Sequence, residues 1–124
     1  MSELIFVYGA LRKGASNDWR MKKARWLGAA EVRGTLVKID WYPGLVLGGE
    51  TMVKGEVYEV GPELMKELDE FEGIGLEDER NGEYHRIRTE VSLNGKPVEV
   101  WIYEWLKGVD GYEVVDSGDW LRPG

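Results

Sequence analysis

The sequence predicts an α+β, mostly β fold: a small, partly closed, mainly antiparallel barrel of about six strands with two flanking helices. Three observations carry that expectation. The chain has 124 residues, enough for one domain with its own core, so a single domain over 1–124 is expected. Strand-like segments outnumber helical ones by roughly three to one, in a chain too short for two separate sheets. Some of these segments are long and carry an internal glycine, as strands do when they bend to close a barrel.

The elements follow in order. Residues 3–9, ELIFVYG, are nearly all apolar and read as a first strand buried on both faces. ALRKGAS is a loop with glycine and positive charge, after which Ser16 can cap a short helix from about Asn17 to Arg25. Residues 28–40 read as a long strand, with Gly34 as the expected bend or bulge. WYPGLVL is a corner at Pro43-Gly44 leading into a short strand. Residues 53–60, VKGEVYEV, alternate as a strand should, and Gly61-Pro62 ends them.

Pro62 suits the first position of a helix over about 62–71, whose Leu64, Met65, Leu68 and Phe71 fall on one face. Gly73 closes it, and 73–83 is a charged, glycine-rich loop. Segments 84–93 and 97–105 flank Asn94-Gly95, a strong hairpin signal. The tail from 106 is mostly irregular.

Composition narrows the function. There are 23 acids against 16 bases, a net charge of −7, which opposes a phosphate backbone and makes nucleic acid an unexpected partner. Arg20, Lys22, Lys23 and Arg25 form a local basic cluster with the spacing of a solvated helix face. The absence of cysteine excludes disulfides, thiolate nucleophiles and zinc ribbons. No apolar run approaches the ~20 residues of a membrane span, and the N-terminus lacks the basic region of a signal peptide. A soluble cytoplasmic protein without a membrane partner is expected.

Candidate chemistry is sparse. His85 is the only histidine and cannot build a metal site unaided; no GxSxG nucleophile motif accompanies it. The acids 77-EDE-79 lie in a polar loop without calcium-loop spacing. Two segments remain. In 8-YGALRKG-14 the glycines allow close backbone approach, and successive amides can form an anion-binding concavity. In 68-LDEFEG-73 helical spacing sets Glu72 on the side of Leu68, while Asp69 and Glu70 point elsewhere, towards water or a helix end. An inward Glu72 would have its pKa raised by desolvation, as a general acid/base needs. Pairing with Arg86 or a backbone donor is the other reading of the same residue.

The two segments together resemble the gamma-glutamylcyclotransferase-like family, including its AIG2-like and gamma-glutamylamine cyclotransferase branches. The resemblance spans VYGALRKG, SND, YPGLV, VKGEVYEV, LDEFEG, YHRIRTEV, WIYEW and SGDW, nearly the whole chain. It implies a bowl-like barrel with a cavity at its mouth and an intramolecular aminolysis that releases 5-oxoproline and a free amine. It also implies Glu72 as catalytic acid/base, with Tyr8, Gly9, Ala10 and Leu11 as a loop binding the substrate through backbone amides. Tyr84, Arg86, Tyr103 and Trp120 complete the implied substrate-binding set.

No metal and no cofactor are implied, and the partner is a small γ-glutamyl compound of unassigned amine. Ala10 departs from the family's usual threonine or serine, so a hydroxyl contact is lost while the amide stays. The alternatives are a binding module for a small acidic metabolite using the same pocket, and an interaction protein whose pocket is filled by side chains. Oligomeric state is not specified by the sequence.

Overall fold

Five strands close on one another, and their alternating side chains sort the apolar residues into two cores. The computed structural model describes residues 2–72 and 83–122. In chain order the elements are β1 (Glu3–Val7), a 3₁₀ turn (Asp18–Met21), β2 (Arg25–Lys38), β3 (Pro43–Leu47), β4 (Thr51–Val60), α1 (Pro62–Phe71), β5 (Tyr84–Leu93), β6 (Lys96–Trp105) and β7 (Glu113–Val114). Strands β2, β4, β1, β6 and β5 are successive neighbours. Pairs Ala30↔Leu93 and Glu31↔Ser92 bring β5 back to β2 and close the barrel. β1 and β6 run parallel, and the other described pairings are antiparallel. β3 lies along the far half of β2, from Gly34↔Leu47 to Lys38↔Pro43.

Period-two alternation explains the cores. Phe6, Ala30, Val32, Val57, Val91, Val100 and Ile102, drawn from all five barrel strands, pack in one buried cluster. Ile5, Val7, Tyr58, Val60 and Tyr103 project to the opposite faces and pack beneath Leu64, Met65 and Leu68 of α1. The apolar β1 is thus buried on both faces, as its sequence predicts. Asn94 at φ 53° and Gly95 at φ 82° make the hairpin turn between β5 and β6, the left-handed pair that matches strand twist.

Two local expectations are corrected. Of the expected helix over 17–25 only Asp18–Met21 is helical, as one short 3₁₀ turn, and Ser16 does not cap it. The chain there is claimed by other partners: Asn17 N donates to Ala10 O at 2.8 Å, Gly14 N to the Asp18 carboxylate at 3.0 Å, and Arg25 already pairs with Glu59 in the barrel. The bulge in β2 falls between Trp26 and Gly28, where Gly28 takes φ 148°. Gly34 stays in register; a Cβ there would lie 2.8 Å from Val46 O, so it permits close strand approach. Finally, β7 adds a seventh strand on Val37 and Lys38.

Candidate active site

Val7 ends β1, and the chain turns at once: Arg12 N donates to Gly9 O at 2.9 Å. Glycine at position 9 is a matter of space, since a Cβ would sit 2.5 Å from Pro43 Cγ. The loop therefore packs directly on the corner before β3. Tyr8 is buried, and its hydroxyl donates to Tyr103 O at 2.6 Å. Among the described residues, the amides of Gly9, Ala10 and Leu11 donate to no protein acceptor. Beyond them Arg12 is buried, giving Nε to Glu56 Oε2 and Nη1 to Asp119 Oδ1, both at 2.7 Å. The second Glu56 oxygen accepts Lys13 N at 3.0 Å. This network fastens the loop to β4 and to the C-terminal tail.

The other half of the site is the end of α1. Glu72 is its C-cap residue, with an amide that donates to Leu68 O at 2.9 Å, so it continues the helix's inward side. Its own surface is partly accessible, yet protein surrounds the carboxyl on most sides. Desolvation raises its pKa from 4.5 to about 8; the positive charge of Arg20 opposes the rise, and Glu83 and Asp69 add to it. A helix C-terminus also disfavours negative charge.

Asp69, expected to face water or a helix end, instead faces β5 and β6. Its oxygens accept Arg86 Nε at 2.7 Å and Nη2 at 3.0 Å, and Oδ1 also accepts the Tyr103 hydroxyl at 2.8 Å. Arg86 therefore pairs with Asp69 and not with Glu72. Glu70 is exposed.

Between the two halves lies an open cavity of about 190 Å³, lined by Ala10, Trp41, Tyr42, Phe71, Glu72, Glu83 and Tyr84. Tyr84 is held by its hydroxyl, which donates to Pro43 O at 2.7 Å, and by an edge-on contact with Trp105. Burial, followed by the neighbouring Tyr8 and Glu72, pushes its hydroxyl far above the usual tyrosine range. Tyr8, Tyr84 and Tyr103 are all shifted upward, burial first. They can donate hydrogen bonds at neutral pH and cannot compete with Glu72 for proton transfer.

Of the residues singled out by sequence, Ala10, Glu72 and Tyr84 are on the cavity wall. Tyr8, Gly9 and Leu11 flank Ala10 within the buried loop. Arg86 and Tyr103 stand behind the wall, joined through Asp69. Trp120 packs against the cluster inside the barrel, off the cavity lining. Sequence reasoning missed Trp41, Tyr42 and Glu83 as wall residues; the adjacent aromatics before Pro43-Gly44 were the available signal. The 77-EDE-79 cluster lies outside the described residues. His85 is taken up by Glu104, Nε2 to Oε1 at 2.8 Å. Among the described residues no three His, Asp or Glu side chains converge as metal ligands would. No described helix is long and apolar enough to cross a membrane.

Fold and site together define a closed barrel with an open cavity built between the loop after β1 and the end of α1. Over residues 5–122 the chain matches the family described as gamma-glutamyl cyclotransferase, AIG2-like, and it belongs to that family. It is similar to the gamma-glutamylcyclotransferase family protein YtfP of Escherichia coli (strain K12), 36% identical over 118 residues, 94% of this chain and 95% of that one. A Niallia circulans protein named gamma-L-glutamyl-butirosin B gamma-glutamyl cyclotransferase is 39% identical over 121 residues, 95% of this chain and 75% of that one. The crystal structure of an AIG2-like protein from Mus musculus superposes with a TM-score of 0.73 at 26% identity, over 90% of this chain and 82% of that one.

Proposed function

We propose that the chain cyclises a γ-glutamyl amide of a small molecule, releasing 5-oxoproline and a free amine, with Glu72 as the general acid/base. The observation that carries this reading is Glu72 itself. It is a carboxyl at the cavity wall whose pKa is raised to about 8, so near neutrality it exchanges a proton in either direction. The substrate's α-ammonium gives a proton to Glu72, and the freed amine attacks the γ-carbonyl carbon. A C–N bond forms to close the five-membered ring, and Glu72 returns its proton to the departing nitrogen as the original amide C–N bond breaks. The second proton, shed by the ring nitrogen as it becomes the lactam N–H, also passes to the departing amine, which leaves as an ammonium.

The protein needs to supply no nucleophile. It holds the substrate folded, where effective concentration contributes several kcal/mol. The amides of Gly9, Ala10 and Leu11, which have no protein acceptor among the described residues, suit the α-carboxylate or the developing oxyanion. Tyr8, Tyr84, Arg86 and Tyr103 keep the walls in place, with Trp120 supporting the core behind them. The reading extends to a cytoplasmic setting and needs no cofactor.

The test is 5-oxoproline release from a panel of γ-glutamyl amides, including γ-glutamyl amino acids, γ-glutamyl amines and γ-L-glutamyl-butirosin B, the compound in the N. circulans protein's name. Wild type is expected to turn over at least one, and Glu72→Gln to lose at least a hundredfold in kcat. Undiminished release by the variant removes Glu72 from the mechanism. No release by wild type from any compound removes the reaction.

A further inference from the structure

We infer that Arg20 is a positioning residue that clamps the two halves of the site together and places a fixed positive charge beside Glu72. This rests on the reading of Glu72 given above, and deepens it. Sequence spacing set Arg20 in a solvated basic face with Lys22, Lys23 and Arg25. Those three are exposed, but Arg20 is half-buried.

Its guanidinium lies 4.0 Å from the ring centroid of Phe71 and 4.4 Å from that of Trp19. Its Nε donates to Asn17 Oδ1 at 3.1 Å. Asn17 in turn donates its backbone N–H to Ala10 O at 2.8 Å. A continuous chain of contacts therefore runs from Ala10, in the loop after β1, through Asn17 and Arg20 to Phe71, at the end of α1. Ala10 and Phe71 are both cavity walls, and Phe71 precedes Glu72.

A planar guanidinium suits this task. It stacks on a ring with its face while its edge makes a directed hydrogen bond, which a lysine ammonium cannot do. The same rigidity fixes where its charge sits. From the elements around it, Glu72 feels the charges of Arg20 in the 3₁₀ turn, Glu83 before β5 and Asp69 of its own helix, the last already paired with Arg86. Its charge also acts on the hydroxyls of Tyr8 after β1, Tyr42 before β3, Tyr84 on β5 and Tyr103 on β6. Among the charges acting on Glu72, Arg20 is the foremost and favours the ionised form.

Two substitutions separate clamp from charge. Arg20→Lys keeps the charge and loses the stack and the Nε bond; Arg20→Gln loses the charge. The lysine variant is expected to lower kcat/KM about tenfold with the acid limb of its pH profile displaced less than in the glutamine variant. The glutamine variant is expected to move that limb upward by on the order of one pH unit, because Glu72 must then ionise without its countercharge. An independent readout is the titration of the Glu72 side-chain carboxyl carbon by NMR, assigned by its loss in Glu72→Gln. It needs no turnover, so it remains readable even if the proposed reaction fails. An unchanged titration in Arg20→Gln, or unchanged kcat/KM in Arg20→Lys, overturns the inference.

Discussion

Replacing Glu72 by glutamine should stabilise the protein, and by an amount that grows with pH. Between pH 4.5 and about 8 the unfolded chain has lost the Glu72 proton while the folded chain retains it. The folded state then binds more protons, so wild-type stability falls as pH rises through this window and levels off above about 8. At 1.36 kcal/mol per pH unit, the full displacement from 4.5 to about 8 sets a ceiling of roughly 5 kcal/mol. The cavity is open to solvent, and water reaching the ionised carboxylate reduces the penalty to roughly 2 kcal/mol. Glutamine has no such cost. Urea unfolding of both proteins at pH 5, 7 and 9.5 should give curves whose difference is near zero at pH 5 and about 2 kcal/mol in favour of glutamine at pH 9.5. Titrating groups that do not interact with Glu72 cancel in that difference. A gap that is the same at all three pH values would refute the desolvated-carboxyl argument, whatever the enzyme assay shows.

Other perturbations probe the frame around the site. Asp69→Asn removes the charge that Arg86 pairs with and weakens the acceptor of Tyr103; with both partners part-buried, the loss should be roughly 2 kcal/mol by urea midpoint at constant m. Arg12→Met leaves the carboxylates of Glu56 and Asp119 without their shared cation and should cost about 3–5 kcal/mol; a loss under ~1 kcal/mol would mean the network does not hold the loop. Gly9→Ala forces a Cβ against Pro43 and should lower kcat/KM at least tenfold with unchanged circular dichroism. Gly14→Ala, strained at φ +91° but with nothing within 4 Å, should cost only about 1 kcal/mol in thermal unfolding.

What the sequence made legible was local. Pro62, the apolar stripe Leu64–Met65–Leu68, and Asn94-Gly95 each act within a few residues, so α1 and the hairpin appear where their signals stand. Glu72 followed from its four-residue spacing to Leu68 by the same logic. The 3₁₀ turn at 18–21 defeated that logic because its geometry is imposed from outside the segment, by Ala10 in the preceding loop and by Glu59, distant in sequence. Asp69 was misjudged for the same reason: its partner Arg86 is 17 residues away, across the gap between α1 and β5. Trp41 and Tyr42 become cavity walls only because β3 folds back along β2 and sets the corner against Gly9. Pairing across the barrel is not encoded in any single window of sequence.

The LDEFEG segment shows how one helix end can carry acids with different fates. Asp69 and Glu72 are three residues apart, close enough to repel, and each faces protein. Asp69 meets a bidentate guanidinium and a phenol hydroxyl, which satisfy its charge where it stands. Glu72 meets an aromatic wall, a carboxylate at position 83 and the negative end of its own helix, with one cation acting from beyond Phe71. A pair of carboxyls whose surroundings push them apart in this way divides structural from chemical duty. Exchanging the two surroundings would not conserve the site, because Asp69 points to the sheet and Glu72 to the cavity. The direction in which each acid leaves the helix, set by residue spacing, therefore decides which environment it finds, and the barrel supplies the difference between them.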